Sequence, residues 1–137
     1  MLKMLKLKRR DQRGANLVEM ALVMLLLLLL LAGVVDFGRA FNNYIIITNA
    51  SREGARCGSH FPHLPDDIKG AAIQEAANSG VTLLPGHITV IGLNAPPGAP
   101  IEVVVEYQFA TILGGITGVG NLTLRSSTEM IVFGLDT

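Results

Sequence analysis

A charge-free, leucine-rich run near the N-terminus constrains this chain more than any other feature. Residues 20–35 carry no charged side chain, and residues 25–31 are seven leucines in succession. Extending the run back to Ala15 gives 21 residues that contain one charge, Glu19. A helix needs about 20 apolar residues to cross the hydrocarbon core of a bilayer. Because apolar side chains would cover this helix on every side, we predict that residues 15–35 span a membrane.

The charges are segregated along the chain, and their distribution predicts an orientation. The 137 residues have a formal net charge of zero. Residues 1–14 hold six basic side chains and one acidic side chain, whereas the remainder holds five basic and ten acidic ones. The positive-inside rule therefore places the N-terminus in the cytoplasm and the C-terminal part outside. An acidic C-terminal part argues against a nucleic-acid partner.

Three fates of the basic arm are compatible with these features. A conventional signal peptidase could cut after the apolar run, near Ala32 and Gly33, but Leu30 is large for the position three residues before that cut. The arm could also stay on an uncut signal anchor. In the third case a peptidase cuts between Gly14 and Ala15 and leaves the apolar run on the mature protein. The glycine at the boundary between arm and helix favours this third fate.

Glu19 is the one carboxylate inside the predicted span. Charged side chains are costly at this depth, and they are functional by default. Glu19 could simply extend its side chain to the membrane surface. Alternatively, it could pair with a positive charge, because cleavage after Gly14 would create a new α-amino group at Ala15 on the same or a neighbouring subunit.

The segment 13–56 resembles a known family. Gly14-Ala15 followed by Glu19 resembles the class III signal of type IV pilins and pseudopilins, in which a membrane prepilin peptidase cuts after the glycine. The longer segment resembles the TadE-like family of the tight-adherence (Tad, or Flp) pilus system, although Met20 stands where that family usually carries Phe. The motifs that carry this resemblance are Arg13-Gly14, Val18-Glu19, Asp36-Phe37-Gly38-Arg39 and Arg52-Glu53-Gly54-Ala55-Arg56.

The resemblance implies a structural role and not an enzymatic one. It implies a minor pilin or pseudopilin that is processed at Gly14 and Ala15, uses Glu19 in subunit assembly, and is needed for pilus assembly and surface adhesion. The implied partners are prepilin peptidase, other pilin and TadE-like subunits and the inner (cytoplasmic) membrane. The resemblance places the mature protein either in that membrane or in the extracellular pilus. No cofactor, metal or small-molecule substrate is expected. The alternative is an uncleaved single-pass membrane protein with a small extracytoplasmic binding domain.

The predicted fold is α+β and pilin-like, with a leader at 1–14, a span at 15–35 and an extracytoplasmic domain at 36–137. Helical spacing continues beyond the span, so one helix is expected over about 16–57, with an Asp36–Arg39 pair on one face. The residues that recur at this spacing are Phe37, Phe41, Tyr44, Thr48, Ser51 and Ala55.

A short second helix and three strands are predicted after the long helix. Pro65 opens the short helix, Asp66 or Asp67 caps it, and the segment 78–80 ends it. Its inward face is expected to hold Ile68, Ala72 and Ala76. Alternating apolar residues predict strands near 87–93, 101–109 and 122–133, which would form an antiparallel sheet with one face on the long helix. In the central strand the inward residues are expected to be Ile101, Val103, Val105, Tyr107 and Phe109.

Three further motifs leave alternatives open. Arg52 and Arg56 share a helical face and could either lie near the last carbonyls of the helix or contact a partner subunit. Cys57, His60 and His63 include metal-ligand residue types, but Pro62 interrupts them and a polar loop is favoured; the single cysteine excludes an intrachain disulfide. The glycine-rich loop 113–120 lacks the Lys-Ser/Thr of a phosphate-binding loop. Its apolar residues could cover the sheet edge, or contact a partner or the membrane surface.

Overall fold

A long N-terminal helix is the largest element of the molecule. The computed structural model describes residues 12–118 and 120–133, so most of the predicted leader lies outside the described residues. Helix α1 runs over Gln12–His60, 49 residues, which is about 73 Å at 1.5 Å per residue. The predicted helix is therefore confirmed and is somewhat longer at both ends. Gly54 and Gly58 both lie inside it.

The remaining elements form one helix and a three-stranded sheet. They are α2 (Pro65–Asn78), a 3-10 turn (Pro85–His87), β1 (Ile88–Ile91), β2 (Pro100–Ala110), the one-turn helix α3 (Gly114–Thr117) and β3 (Asn121–Ile131). The sheet is antiparallel in the order β1-β2-β3. This confirms the predicted α+β fold of a long N-terminal helix, a second helix and a small sheet. The glycine-rich segment expected as a plain loop contains the single turn α3.

Helix α2 begins at Pro65, as predicted, but its cap differs from the prediction. Its N-cap residue is Leu64, whose side chain makes no capping hydrogen bond, and Pro65 is the first helical residue. The prediction that Asp66 or Asp67 caps the helix is therefore wrong. Both aspartates lie in the first turn, where a negative charge suits the positive end of the helix dipole.

The core lies between the second half of α1, helix α2 and one face of the sheet. The inward residues predicted for α2, namely Ile68, Ala72 and Ala76, are all fully buried. The inward face predicted for β2 is confirmed as well, although Tyr107 is only half-buried. The buried members of that face are Ile101, Val103, Val105 and Phe109.

The first half of α1 takes no part in this core. Within the described residues, α1 is the one helix long and apolar enough to cross a membrane, and the most apolar stretch within it has a mean hydropathy of 2.8 and no buried residue. A leucine-rich surface of this kind, exposed in the isolated chain, is what a membrane-spanning helix presents to lipid.

Candidate functional site: the membrane helix and its junction with the domain

The predicted processing residues lie on the first exposed turns of α1. A Cβ built on Gly14 would have no neighbouring atom within 4 Å. Ala15 and Glu19 are four residues apart and exposed, so they share one helical face. Within the described chain, Glu19 forms no hydrogen bond or ion pair. A positive partner for this carboxylate would therefore have to come from outside the described part of the chain.

Asp36 is hydrogen-bonded to a segment that lies far from it in the sequence. The residue is 7% exposed, and its carboxylate accepts hydrogen bonds from two consecutive backbone amides. Ile112 N donates to Oδ1 at 2.8 Å and Leu113 N donates to Oδ2 at 2.9 Å. The predicted pair with Arg39 is also present, with Nη1 3.4 Å from Oδ1. The two amide bonds, assisted by the charge of Arg39, lower the pKa of Asp36.

The glycine-rich segment packs on α1 at this junction. The Cδ1 atom of Leu113 lies 3.6 Å from the position that a Cβ on Gly33 would occupy. Gly33 belongs to the predicted span, so the segment reaches the level where the span ends. This contact with α1 was not among the expected positions, which were the sheet edge, a partner or the membrane surface. The side chains of Ile116 and Val119 lie outside the described part.

Arg39 connects the junction to an open cleft beside it. Its guanidinium carbon lies 5.0 Å above the ring centroid of Phe109, a distance typical of a cation–π interaction. The cleft has a volume of about 520 Å³. It is lined by Gly38, Arg39, Asn42, Asn43, Gly80, Val81 and Tyr107. These amides and this one cation can donate hydrogen bonds, but they do not form an acid–base or nucleophile arrangement.

The apolar stripe of α1 continues beyond the domain that covers its end. Phe37 and Ala55 are five helical turns apart and therefore share a face. Ala55 is fully buried, whereas Phe37 is 73% exposed. The rings of Phe37 and Phe41 stack with centroids 6.4 Å apart, and Tyr44 on the same face is also exposed. The domain thus covers only the end of a longer apolar stripe.

The Arg-Glu-Gly-Ala-Arg motif is a packing motif in this structure. A Cβ on Gly54 would lie 3.1 Å from Cγ1 of Val103 and 3.3 Å from both Cβ of Ala72 and the carbonyl oxygen of Ile68. The absence of a side chain at Gly54 therefore lets α1, α2 and β2 approach one another. The sequence pattern contains this glycine but does not reveal its neighbours.

The two arginines of that motif are exposed and precede the helix end. Arg56 Nε donates to Glu53 Oε2 at 3.0 Å, and this bond lowers the pKa of Glu53. Arg56 therefore pairs with a carboxylate of its own helix, an interaction that was not among the two expected for these arginines. Arg52 lies on the exposed side of α1, next to Phe41 and Tyr44 in a groove of about 220 Å³.

Two hydroxyl pairs that the sequence did not predict join α1 to β3. The oxygens of Thr48 and Ser126 lie 3.0 Å apart, and those of Ser51 and Thr128 lie 2.8 Å apart. The helical spacing identified Thr48 and Ser51 as neighbours on α1. Their partners lie more than 70 residues away in the sequence, and no local pattern indicates them.

Cys57 and His60 lie in the last turns of α1 and not in the polar loop we expected. Burial raises the pKa of the Cys57 thiol. The ring of His60 stacks near that of Phe133, with centroids 5.5 Å apart. In the part of the chain that the structure describes, no group of three or more His, Cys, Asp or Glu side chains is placed to hold a metal ion.

One protein-family model matches a segment that includes both the span and the junction. The family model described as TadE-like protein matches residues 14–56. The match starts at Gly14, includes Glu19 and Asp36, and ends at Arg56, which confirms the resemblance drawn from the motifs. No curated protein and no solved structure matches the chain.

Proposed function

We propose that this chain is a minor pilin or pseudopilin of a tight-adherence pilus, which prepilin peptidase trims and which is needed for pilus assembly and surface adhesion. The observation that carries the proposal is the TadE-like match over residues 14–56. The match associates the chain with the Tad pilus, and the exposed apolar helix supports a membrane-anchored protein. In this proposal the role is structural, and the partners are the peptidase and other pilin and TadE-like subunits.

The proposed arrangement follows from the charges and from the exposed face of α1. The basic arm stays on the cytoplasmic side of the inner membrane, and residues 36–137 lie outside. The apolar stripe of Phe37, Phe41 and Tyr44 extends the exposed surface of the span towards the domain. In a filament, helices of neighbouring subunits would cover this stripe. Arg52, which lies next to the Tyr44 end of this stripe, is then a candidate subunit contact, whereas Arg56 is hydrogen-bonded to Glu53.

The mature N-terminus tests the proposal. Cleavage between Gly14 and Ala15 leaves 123 of the 137 residues, and mass spectrometry of protein from peptidase-competent cells measures this. Gly14→Val should block the cut because a branched side chain replaces the glycine at the scissile bond. Gly38→Val is a matched control, since Gly38 is also a glycine of α1 with no atom within 4 Å of its Cβ position. A mature protein that still begins at Met1 would favour the uncleaved anchor instead.

Substitution of Glu19 tests the assembly step separately. A carboxylate at mid-span costs roughly 2.5 kcal/mol or more, and less near the surface, so Glu19→Ala should not impair insertion. If Glu19 pairs with the Ala15 amine, the variant is still cut and still membrane-bound but fails to associate with pilus subunits. Glu19→Gln retains the shape without the charge and separates ion pairing from packing. Normal piliation with Glu19→Ala as the sole copy would refute the pairing role.

A further inference from the structure

The turn that joins β2 to β3 lies at the level where the membrane span ends. We use "hairpin tip" for residues 110–113 together with 120–122. Leu113 packs against Gly33 of the span, and Asp36 holds the backbones of Ile112 and Leu113 through two hydrogen bonds. The position of the hairpin tip along α1 is therefore fixed by contacts and not by the turn alone.

The hairpin tip lies within a charge-free segment of 18 residues. Residues 107–124 contain no charged side chain. The segment is bounded by Glu106 and Arg125, which are paired across the two strands, with Oε1 and Nε 3.6 Å apart. Between this pair and the hairpin tip, neither strand carries a charged side chain. The other charged side chains of the two strands lie on the side of the pair away from the tip.

Apolar side chains of the hairpin tip are exposed in the isolated chain. Ile112 is 52% exposed and Leu122 is 47% exposed. Leu122 is the cross-strand partner of Phe109, so it lies on the face of the sheet that packs on α1. Leu122 is nevertheless much more exposed than Phe109. At the same level of the helix, Phe37 is exposed as well.

The depth of these groups agrees with the dimensions of a bilayer. Gly33 lies about 3 Å inside the end of the predicted span and Arg39 about 6 Å beyond it, at 1.5 Å per residue. The headgroup layer on each side of the hydrocarbon core is roughly 5–7 Å thick. The half-exposed guanidinium of Arg39 is therefore at headgroup level, whereas Leu113 is at the boundary of the hydrocarbon. In a membrane-anchored subunit, lipid surrounds the span at Gly33. The hairpin tip packs against the span at this residue, so lipid surrounds the tip as well.

We propose that the hairpin tip rests in the interfacial layer of the bilayer, on the side that carries the domain, as a second membrane contact beside α1. Asp36 is the positioning residue that sets its depth. This inference rests on the membrane anchoring in the proposed function, but not on cleavage or on pilus assembly. A second contact with the bilayer, in addition to α1, would fix the orientation of the sheet relative to the membrane surface.

Fluorescence quenching of the full-length protein in nanodiscs of phosphatidylcholine and phosphatidylglycerol tests the depth. In a Cys57→Ser background, an environment-sensitive label is attached at Ile112→Cys, at Leu27→Cys within the span, or at Pro97→Cys in the loop at the opposite end of β2. We expect nitroxide lipids to quench the Ile112 label at least half as strongly as the Leu27 label. Aqueous iodide should quench it at least fivefold less than the Pro97 label.

Each other outcome overturns a defined part of the proposal. An Ile112 label that behaves like the Pro97 label shows a tip in water and refutes the membrane contact. Shielding from both quenchers that appears only with two copies in a nanodisc assigns the surface to a second subunit and also refutes it. A Leu27 label that nitroxide lipids do not quench refutes the anchoring itself, and the proposal with it.

The role of Asp36 has its own readout. Asp36→Ala removes both acceptors, so lipid quenching of the Ile112 label should fall at least twofold. Asp66→Ala removes an exposed carboxylate of α2 and should leave the quenching unchanged. An unchanged depth in Asp36→Ala would refute the positioning role, and circular dichroism of the variant verifies that the domain has folded.

Discussion

Gly54→Ala tests whether the close approach of α1, α2 and β2 is as tight as the structure shows. A methyl group at this position would stand 3.1 Å from Cγ1 of Val103 and 3.3 Å from both Cβ of Ala72 and the carbonyl oxygen of Ile68. None of these atoms can move easily. The Val103 carbon belongs to a fully buried, β-branched side chain, and the other two atoms are fixed to the backbone of α2.

Two opposing contributions set the expected change in unfolding free energy. Replacing glycine by alanine inside a helix stabilises by about 1 kcal/mol. Inserting a methyl group into a packed core costs about 1–3 kcal/mol. With three rigid neighbours the second contribution should dominate, so we expect a net loss of about 1 kcal/mol. For a domain of about 100 residues, this lowers Tm by roughly 4–8 °C.

Gly70→Ala provides the matched control. Gly70 lies inside α2, is exposed, and has no atom within 4 Å of its Cβ position, so only the gain in helix propensity should remain. That variant should raise Tm by about 4 °C or more. Thermal unfolding of the full-length protein in detergent micelles, followed by the strand signal in circular dichroism, measures both variants. If Gly54→Ala proves as stable as Gly70→Ala, the packing argument is wrong.

Two further predictions concern the junction and the domain. The pKa of Asp36 is lowered from its ordinary value of 3.8, so its contribution to stability is fully present above about pH 3.8 and is lost as the pH falls through the lowered value. Hydrogen-exchange protection of the Ile112 and Leu113 amides should therefore weaken at such low pH, and protection that stays constant down to pH 2 would contradict the assignment. A fragment of residues 36–137 should be soluble and give a far-UV spectrum with both helix and strand. A purely helical spectrum would show that the sheet does not form without the span.

Local periodicity predicted the elements whose residues show a regular spacing of apolar side chains. The long helix follows from a helical spacing that continues past the apolar run, and β2 follows from the alternation between Ile101 and Phe109. In β2 most of the side chains that repeat become buried, whereas in α1 they line one stripe that the domain covers only at its end. Periodicity therefore specified the α+β class and the inward face of α2.

Contacts between distant segments could not be predicted in the same way. Asp36 was expected to pair with Arg39, which lies one turn away, but its shorter hydrogen bonds come from amides 76 and 77 residues further along the chain. A backbone amide leaves no signature in the sequence, because every residue except proline has one. The same holds for Gly54, where a glycine that lowers helix propensity in isolation is required by three neighbours from other elements.

The two carboxylates that flank the apolar run illustrate the difference between a partner within the chain and one outside it. Asp36 lies where a hairpin can reach α1, and two backbone amides satisfy its oxygens. Glu19 lies on the exposed first half of α1, where the described chain offers its carboxylate no hydrogen bond or ion pair. Its carboxylate is therefore left to water and headgroups at the membrane surface or to the amine of a processed subunit. Since only the second of these requires the negative charge for assembly, a loss of piliation in Glu19→Gln without any loss of cleavage would support pairing of Glu19 with that amine.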